Sequence, residues 1–146
     1  MIVTGNLLYY DIKNKNGRIY SKETAENIVK QFGKLDHCIY GQVGFPEDEI
    51  LNYKNISHKV NDMRINKENK SIEIVFETLK TPKGKILEEN IQAIGGIKNF
   101  NNFFAIRTCG TGNINENGVI ENYKLFSCNV IAKDTDAFIE KTDIIK

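Results

Sequence analysis

The stretch FFAIRTCGTG, from Phe103 to Gly112, decides the fold because it carries an apolar segment directly into a pair of glycines. The residues NFFAIRTC combine aromatic and β-branched side chains, which predicts a strand. The following GTG resembles part of a phosphate-binding loop, but no Lys-Ser/Thr pair follows it, so we predict a flexible loop over 110–118. The stretch contains Arg107, Thr108 and Cys109 but no serine.

The composition is that of one globular domain. The chain has 146 residues, of which 40% are hydrophobic and 27% are charged, enough to build a core. The formal net charge of +1 gives no electrostatic argument for a nucleic-acid or membrane partner. No apolar run approaches the roughly 20 residues that span a bilayer. Three cysteines at irregular spacing do not form a disulfide framework, which favours a reducing, intracellular setting.

Hydrophobic periodicity predicts an α+β fold, with a mostly antiparallel sheet or barrel of about five to seven strands and two helices. One helix follows Ser21 as its cap and ends at Gly33, and the second covers the segment ILEENIQAIGG, with TPKGK as a turn before it. The predicted strands cover residues 2–12, 37–45, 56–65, 72–76, 102–109 and 119–132. Residues 1–132 form a single domain in this prediction, with no internal repeat, and 133–146 form a polar tail that docks on the domain or on a neighbour.

The residues alone offer few candidates for chemistry. His58 lies in the middle of a predicted strand, where a single histidine is more often structural than catalytic. Cys109 is either a nucleophile that uses His58 as its base or a small buried thiol at the end of a strand. His37 and Cys38 have no second pair of metal ligands at a useful spacing, so we predict no metal and no cofactor.

Six segments, taken in order, resemble the prohead (capsid maturation) serine proteases of tailed phages, which share the fold of the herpesvirus assemblin proteases. The resemblance covers residues 9 to 136, nearly the whole chain. The segments are NKNGRIY (Asn14 to Tyr20), GQVGFP (Gly41 to Pro46), NISH (Asn55 to His58), TPKGK (Thr81 to Lys85), FAIRTCGTG (Phe104 to Gly112) and YKLFSCNVIAKD (Tyr123 to Asp134).

This resemblance implies a role for each residue of the family's catalytic site. His58 matches the histidine that acts as general base, and Arg107 matches an arginine on the oxyanion side. That alignment places Ala105 at the position of the nucleophilic serine, and a methyl group cannot attack a carbonyl. Shifting the alignment by two residues to fit the glycines puts Arg107 at the serine position, which is equally inactive.

Other polar positions of the family pattern are also changed. Gln42 replaces a glutamate, Phe45 replaces a histidine, and Asn129 stands at the position of a late acidic residue. An amide cannot take the place of a carboxylate that holds a histidine tautomer.

A replacement nucleophile is conceivable on the same strand. Cys109 shares a face with Ala105 but lies about 13 Å from it along a regular strand. Thr108 points to the opposite face unless a bulge turns it.

The resemblance places the protein in the head of a tailed phage. Our first hypothesis is a non-catalytic structural component, an auxiliary or decorating capsid protein that binds the major capsid protein or other head proteins. Such a protein would be assembled in the host cytoplasm and reside in the virion, where homo-oligomers on the capsid are compatible with its role. The second hypothesis is an active prohead maturation protease that cleaves scaffold and capsid proteins, with Ala105 engineered or the nucleophile relocated. The third is an internal scaffold or cargo protein.

Overall fold

A computed structural model describes residues 1–44, 46, 51–133 and 143–145, and within them it shows the predicted α+β fold. The described strands number eight, of which three span only two or three residues. They are β1 (Ile2–Tyr9), β2 (Ile19–Tyr20), β3 (Tyr40–Gly41), β4 (His58–Asn66), β5 (Ser71–Thr78), β6 (Phe104–Ile114), β7 (Val119–Ala132) and β8 (Asp143–Ile145). The helices are α1 (Lys22–Gly33), α2 (Pro82–Ala93) and α3 (Phe100–Phe103), with 3-10 turns at Tyr53–Asn55 and Ile97–Asn99.

The strands form one mixed sheet in the order β1-β5-β4-β3-β7-β6-β8, with β2 added beside β7. Pairs β2–β7, β3–β7 and β6–β8 are parallel, and the other pairs are antiparallel. The sheet curls so that β1 packs against β6 through side chains. A Cβ atom on Gly5 would lie 2.5 Å from Cδ1 of Ile106, so a residue without a side chain permits this approach.

The hydrophobic core lies inside the curl, beneath α1 and α2. β5 contributes Ile72, Ile74 and Phe76, which are completely buried, as its unbroken apolar alternation predicts. The ring of Phe76 packs edge-on against that of Phe100, with centroids 5.6 Å apart.

Both long helices begin at a capping hydroxyl. Ser21 accepts a hydrogen bond from the N–H of Thr24, and Thr81 accepts one from the N–H of Gly84. The prediction of a turn at TPKGK is therefore wrong, because Pro82 stands at the start of α2. Proline is well tolerated there, since the first helical N–H has no partner within the helix.

The predicted loop over 110–118 is also wrong in its first half, because β6 continues to Ile114. A Cβ atom on Gly110 would collide with the backbone oxygen of Lys124 and lie 2.6 Å from the hydroxyl of Tyr123. The glycines that resemble a flexible loop thus allow β6 to pass close to β7. Strand β3 is shorter than predicted, and after it Val43 forms a single bridge to Val130.

Two loops of similar sequence lie side by side, a short repeat that the prediction missed. They are NKNGRI (14–19) and NENGVI (115–120). In each loop the first asparagine accepts two backbone hydrogen bonds through Oδ1, and the glycine adopts a φ of +78° or +79°. The N–H of Ile19 donates to the carbonyl of Gly118 at 2.8 Å, which joins the loops where β2 and β7 begin.

The predicted tail is described only in part. Asp143–Ile145 form β8, which lies parallel to β6 beside Thr108, Cys109 and Gly110. The remaining residues from 134 onward lie outside the described ranges, as does Phe45.

Candidate functional site

His58, the predicted general base, is completely buried at the start of β4. Its Nε2 lies 2.7 Å from the carbonyl oxygen of Cys128, and its Nδ1 lies 2.8 Å from Oγ of Ser57. A carbonyl oxygen can only accept, so Nε2 carries the proton and donates it. In the neutral ring Nδ1 then accepts from the Ser57 hydroxyl.

A glycine on the neighbouring strand makes room for this imidazole. Gly41 is the register partner of His58, and a Cβ atom on Gly41 would collide with both His58 Nε2 and the Cys128 oxygen. On its other side the ring packs against Phe76, with centroids 4.7 Å apart. The imidazole is therefore enclosed by backbone and by a core aromatic ring.

Burial determines the protonation state of His58. Removal from water lowers its pKa from 6.5 to about 4, against the smaller opposing effect of the hydrogen bond to Cys128. The ring is neutral at neutral pH and has no exposed surface. A general base must lie within hydrogen-bonding distance of the proton that it takes, and here both ring nitrogens are engaged inside the protein.

The hydrogen bond from His58 belongs to an irregular rung between β3 and β7. The carbonyl of Gln42 accepts from the N–H of Val130 at 3.0 Å, so a regular parallel ladder would direct the Gln42 N–H to the carbonyl of Cys128. Instead, this N–H donates to Oδ1 of Asn129 at 3.2 Å, and His58 supplies the donor for Cys128. The side chains of Asn129 and His58 thus take the place of the regular backbone hydrogen bond between Gln42 and Cys128.

Asn129 makes full use of its amide group in this arrangement. Its Oδ1 accepts from Gln42, and its Nδ2 donates to Oγ of Ser127 at 3.0 Å. Asn129 is completely buried, Ser127 nearly so, and Gln42 is 8% exposed. An amide, which both donates and accepts, suits this site, whereas a carboxylate would bring a buried charge.

Ala105 and Arg107 lie on β6, on the face of the sheet opposite to His58. Ile106 belongs to the hydrophobic core, so its neighbours Ala105 and Arg107 point to the other face. His58 shares the core face with Val60. In addition, β3 and β7 lie between β4 and β6, so the structure does not bring His58 and Ala105 together.

The structure does bring two of the predicted residues together. Arg107 and Asn129 are direct partners in the antiparallel register of β6 and β7, and Ala105 pairs with Ile131. The half-buried Arg107 donates from Nη1 to the carbonyl of Ile106 at 2.7 Å. Ala105 is 8% exposed.

The alternative nucleophiles on β6 are buried. Cys109 has no exposed surface and pairs in register with Ser127. Thr108 is 1% exposed, and its hydroxyl lies 3.3 Å from the hydroxyl of Tyr20, which belongs to the core.

Ser57 is the functional-site residue that the sequence did not predict. In a regular strand its side chain would point away from that of His58, but Ser57 precedes β4 and turns its hydroxyl onto the imidazole. A hydrogen-bonded serine and histidine form the core of a nucleophile–base pair, yet both residues here are completely buried. Both members of the pair lie inside the folded protein and bond each other there.

Neither a metal-binding cluster nor a membrane-spanning helix occurs within the described ranges. Across the described ranges, no group of three or more His, Cys, Asp or Glu side chains is placed to hold a metal ion. None of the helices in those ranges combines the length and hydropathy that a bilayer span requires.

The fold of the chain is similar to that of a phage capsid assembly protease. A solved structure of this kind is that of the bacteriophage T4 capsid assembly protease, gp21, with a TM-score of 0.68 and 20% sequence identity over 89% of this chain and 80% of that one. No protein-family model matches the chain, and no curated protein matches it significantly. At this identity the similarity establishes the fold.

Proposed function

We propose that the protein is a non-catalytic structural component of a tailed-phage head, an auxiliary capsid protein built on the prohead-protease fold. The observation that carries this proposal is the burial of His58, whose two ring nitrogens are engaged by Cys128 and Ser57. A histidine held in this way contributes to packing and cannot serve as the base of a serine protease.

The opposite face of the sheet supports the same proposal. The expected serine position is Ala105, which has no reactive group, and the expected acid is Asn129, whose amide bonds Gln42 and Ser127. Of the three positions of the triad, those of His58 and Asn129 hold residues with structural hydrogen bonds, and that of Ala105 holds a residue without a reactive group. The protein would act by binding the major capsid protein or another head protein within the virion.

A cleavage assay tests the proposal directly. The purified protein is mixed with the scaffold and major capsid proteins of its own phage, and new fragments are sought by mass spectrometry. We expect no specific fragment from the wild type or from Ala105→Ser, because a restored serine remains on the face opposite to His58. Specific fragments from the wild-type protein that disappear in His58→Gln would contradict the proposal and favour the active protease.

The composition of purified particles separates the structural role from the scaffold role. We expect the intact protein in mature virions at a fixed ratio to the major capsid protein, measured by quantitative mass spectrometry. An internal scaffold would be present in proheads but missing from mature virions, and this result would overturn the proposal.

A further inference from the structure

The contact between β3 and β7, which we call the β3–β7 junction (Tyr40–Gly44 and Ser127–Val130), has two possible donors for one carbonyl. The carbonyl of Cys128 now accepts from His58, although its regular ladder donor, the N–H of Gln42, lies in the same rung. The ladder is regular immediately afterwards, because the N–H of Gly44 donates to the carbonyl of Val130 at 2.7 Å. The irregularity is therefore confined to one rung.

The hydroxyl of Ser57 is placed to respond to a proton on His58. With a neutral ring, this hydroxyl donates to Nδ1 at 2.8 Å. When Nδ1 gains a proton, the same hydroxyl must accept, and its own hydrogen is left with the carbonyl of Gly41 at 3.4 Å, a weak partner. Protonation thus replaces a good hydrogen bond with a poor one beside a buried cation.

We propose that the β3–β7 junction is an acid-operated hydrogen-bond switch, in which a protonated His58 leaves the carbonyl of Cys128 and the N–H of Gln42 takes its place. The exchange keeps the Cys128 carbonyl paired and frees Oδ1 of Asn129. The imidazolium leaves its enclosed position over Gly41 and is hydrated by solvent. The proton comes from solvent, and no covalent bond other than that N–H is made or broken.

Among the described residues, the charged and titratable groups around His58 do not offer the imidazolium a direct ion pair. On β7, burial raises the pKa of the Cys128 thiol, which therefore stays neutral. On α2, the carboxylate of Glu88 is bound by the hydroxyl of Thr78. The groups on the other face of β3, β4 and β5 are Tyr40, whose pKa is raised by the neighbouring Cys38 side chain, and Lys59, which pairs with Glu77 at 3.1 Å.

The difference between the pKa values of His58 in the enclosed and released states limits how far acid can raise the population of the released state. A ring with a pKa of about 4 in the enclosed state and 6.5 when released favours release by up to about 300-fold more at low pH than at neutral pH. A released state that is too rare to detect at pH 7 can therefore become substantially populated near pH 4.

The hydrogen-bond acceptor of the Gln42 amide tests the switch, measured by NMR as scalar couplings across hydrogen bonds between pH 7 and pH 4. We expect a coupling between the Gln42 amide nitrogen and the Cys128 carbonyl carbon that grows as the pH falls, with a midpoint between the two pKa values, while the couplings of the β1–β5 ladder stay constant. The chain has only two histidines, so His37→Gln, which changes an exposed ring, is the matched control and should behave like the wild type. His58→Gln should show no such pH-dependent coupling.

The imidazole nitrogen resonances of the wild type keep the test decisive if His58→Gln does not fold. We expect a proton on Nε2 alone at pH 7 and protonation of Nδ1 together with the appearance of the Gln42–Cys128 coupling. The switch is overturned if that coupling stays absent while His58 titrates, or if the whole sheet loses its hydrogen-bond couplings at the same pH.

Discussion

At the scale of single residues, His58 is a packing element of the sheet. Its Nε2 donates a hydrogen bond to the backbone carbonyl of Cys128 on β7, and its ring fills the space that Gly41 leaves empty. Both functions depend on the shape and neutral donor of an imidazole, and neither requires contact with solvent. The residue is therefore needed by the fold whether or not any reaction takes place.

The buried imidazole makes stability depend on pH. The pKa of His58 is lowered from 6.5 to about 4 in the folded protein, so between these values the unfolded chain binds more protons than the folded one. The free energy of unfolding should therefore fall as the pH drops from 6.5 to 4, by at most about 3 kcal/mol from this group. Urea denaturation at pH 7 and pH 4.5 measures the fall, and the difference between wild type and His58→Gln isolates it from the carboxylates. An equal fall in the two proteins would refute this assignment.

Gly41 gives a second prediction at the same scale. Gly41→Ala places a methyl group against Cys128 and His58, and we expect it to destabilise the protein by about 3 kcal/mol or more. Gly33→Ala is the matched control, because nothing lies within 4 Å of that position at the end of α1, and its effect should be small or stabilising. Thermal unfolding compares the two variants, and similar melting temperatures would show that the enclosure of His58 is looser than described.

At the scale of elements, the paired NxNG loops align β2 with β7. Each loop is closed by its own asparagine, so its shape is fixed before the two strands meet. The hydrogen bond from the N–H of Ile19 to the carbonyl of Gly118 joins the loops where the two strands begin to pair. Two loops with the same asparagine-closed turn thus align β2 with β7, whose paired residues lie about one hundred positions apart in the chain.

The two loop glycines should respond differently to the same substitution. Gly17 and Gly118 both have positive φ, so alanine at either position should cost about 1 kcal/mol in backbone strain. A Cβ atom on Gly118 would also lie 2.7 Å from the carbonyl oxygen of Gly17, whereas nothing lies within 4 Å of Gly17. We expect Gly118→Ala to lower the free energy of unfolding by at least about 1 kcal/mol more than Gly17→Ala, as measured by urea denaturation. Equal losses would show that the loops do not press on each other.

The elements also show what the sequence could predict. Helix α1 and the β4–β5 hairpin were predicted because their signals are local: a capping serine, a regular apolar face and a polar tip. The start of α2 was mistaken for a turn, since Thr-Pro and Gly occur in both contexts. The extension of β6 was missed because its glycines are required by Tyr123 and Lys124, which lie far away in sequence.

The candidate site was predictable only in its list of residues. The resemblance drew attention to His58, Ala105, Arg107 and Asn129, and the structure pairs the last two across β6 and β7. The side of the sheet to which His58 points depends on the bulged register of β4 and on Gly41, and neither can be read from a motif. The partnership of His58 with Ser57 also escaped prediction, because neighbours in a strand normally face apart.

At the scale of the whole molecule, the three free cysteines divide into one exposed and two buried thiols. Cys38 is exposed, whereas Cys109 and Cys128 have no exposed surface. Burial also raises the pKa of Cys128, which suppresses its reactive thiolate form. The folded protein should therefore offer a single reactive thiol.

Titration with an aromatic disulfide reagent checks this prediction. We expect one rapidly reacting thiol per native chain and three in guanidinium chloride, because unfolding exposes the buried pair. Cys38→Ser should remove the rapid reaction and leave the two slow ones. A second rapid thiol in the native protein would show that β6 or β7 opens far more readily than their pairing implies.

The enclosed position of His58 has a consequence for how such proteins are recognised in genomes. The sequence Asn-Ile-Ser-His at 55–58 serves the stability of the sheet, since Ser57 and His58 bond each other and the neighbouring strands. Selection for a stable fold alone is then enough to preserve these letters through evolution. The presence of Asn-Ile-Ser-His in a chain of this fold is therefore compatible with a structural role and does not by itself assign an activity.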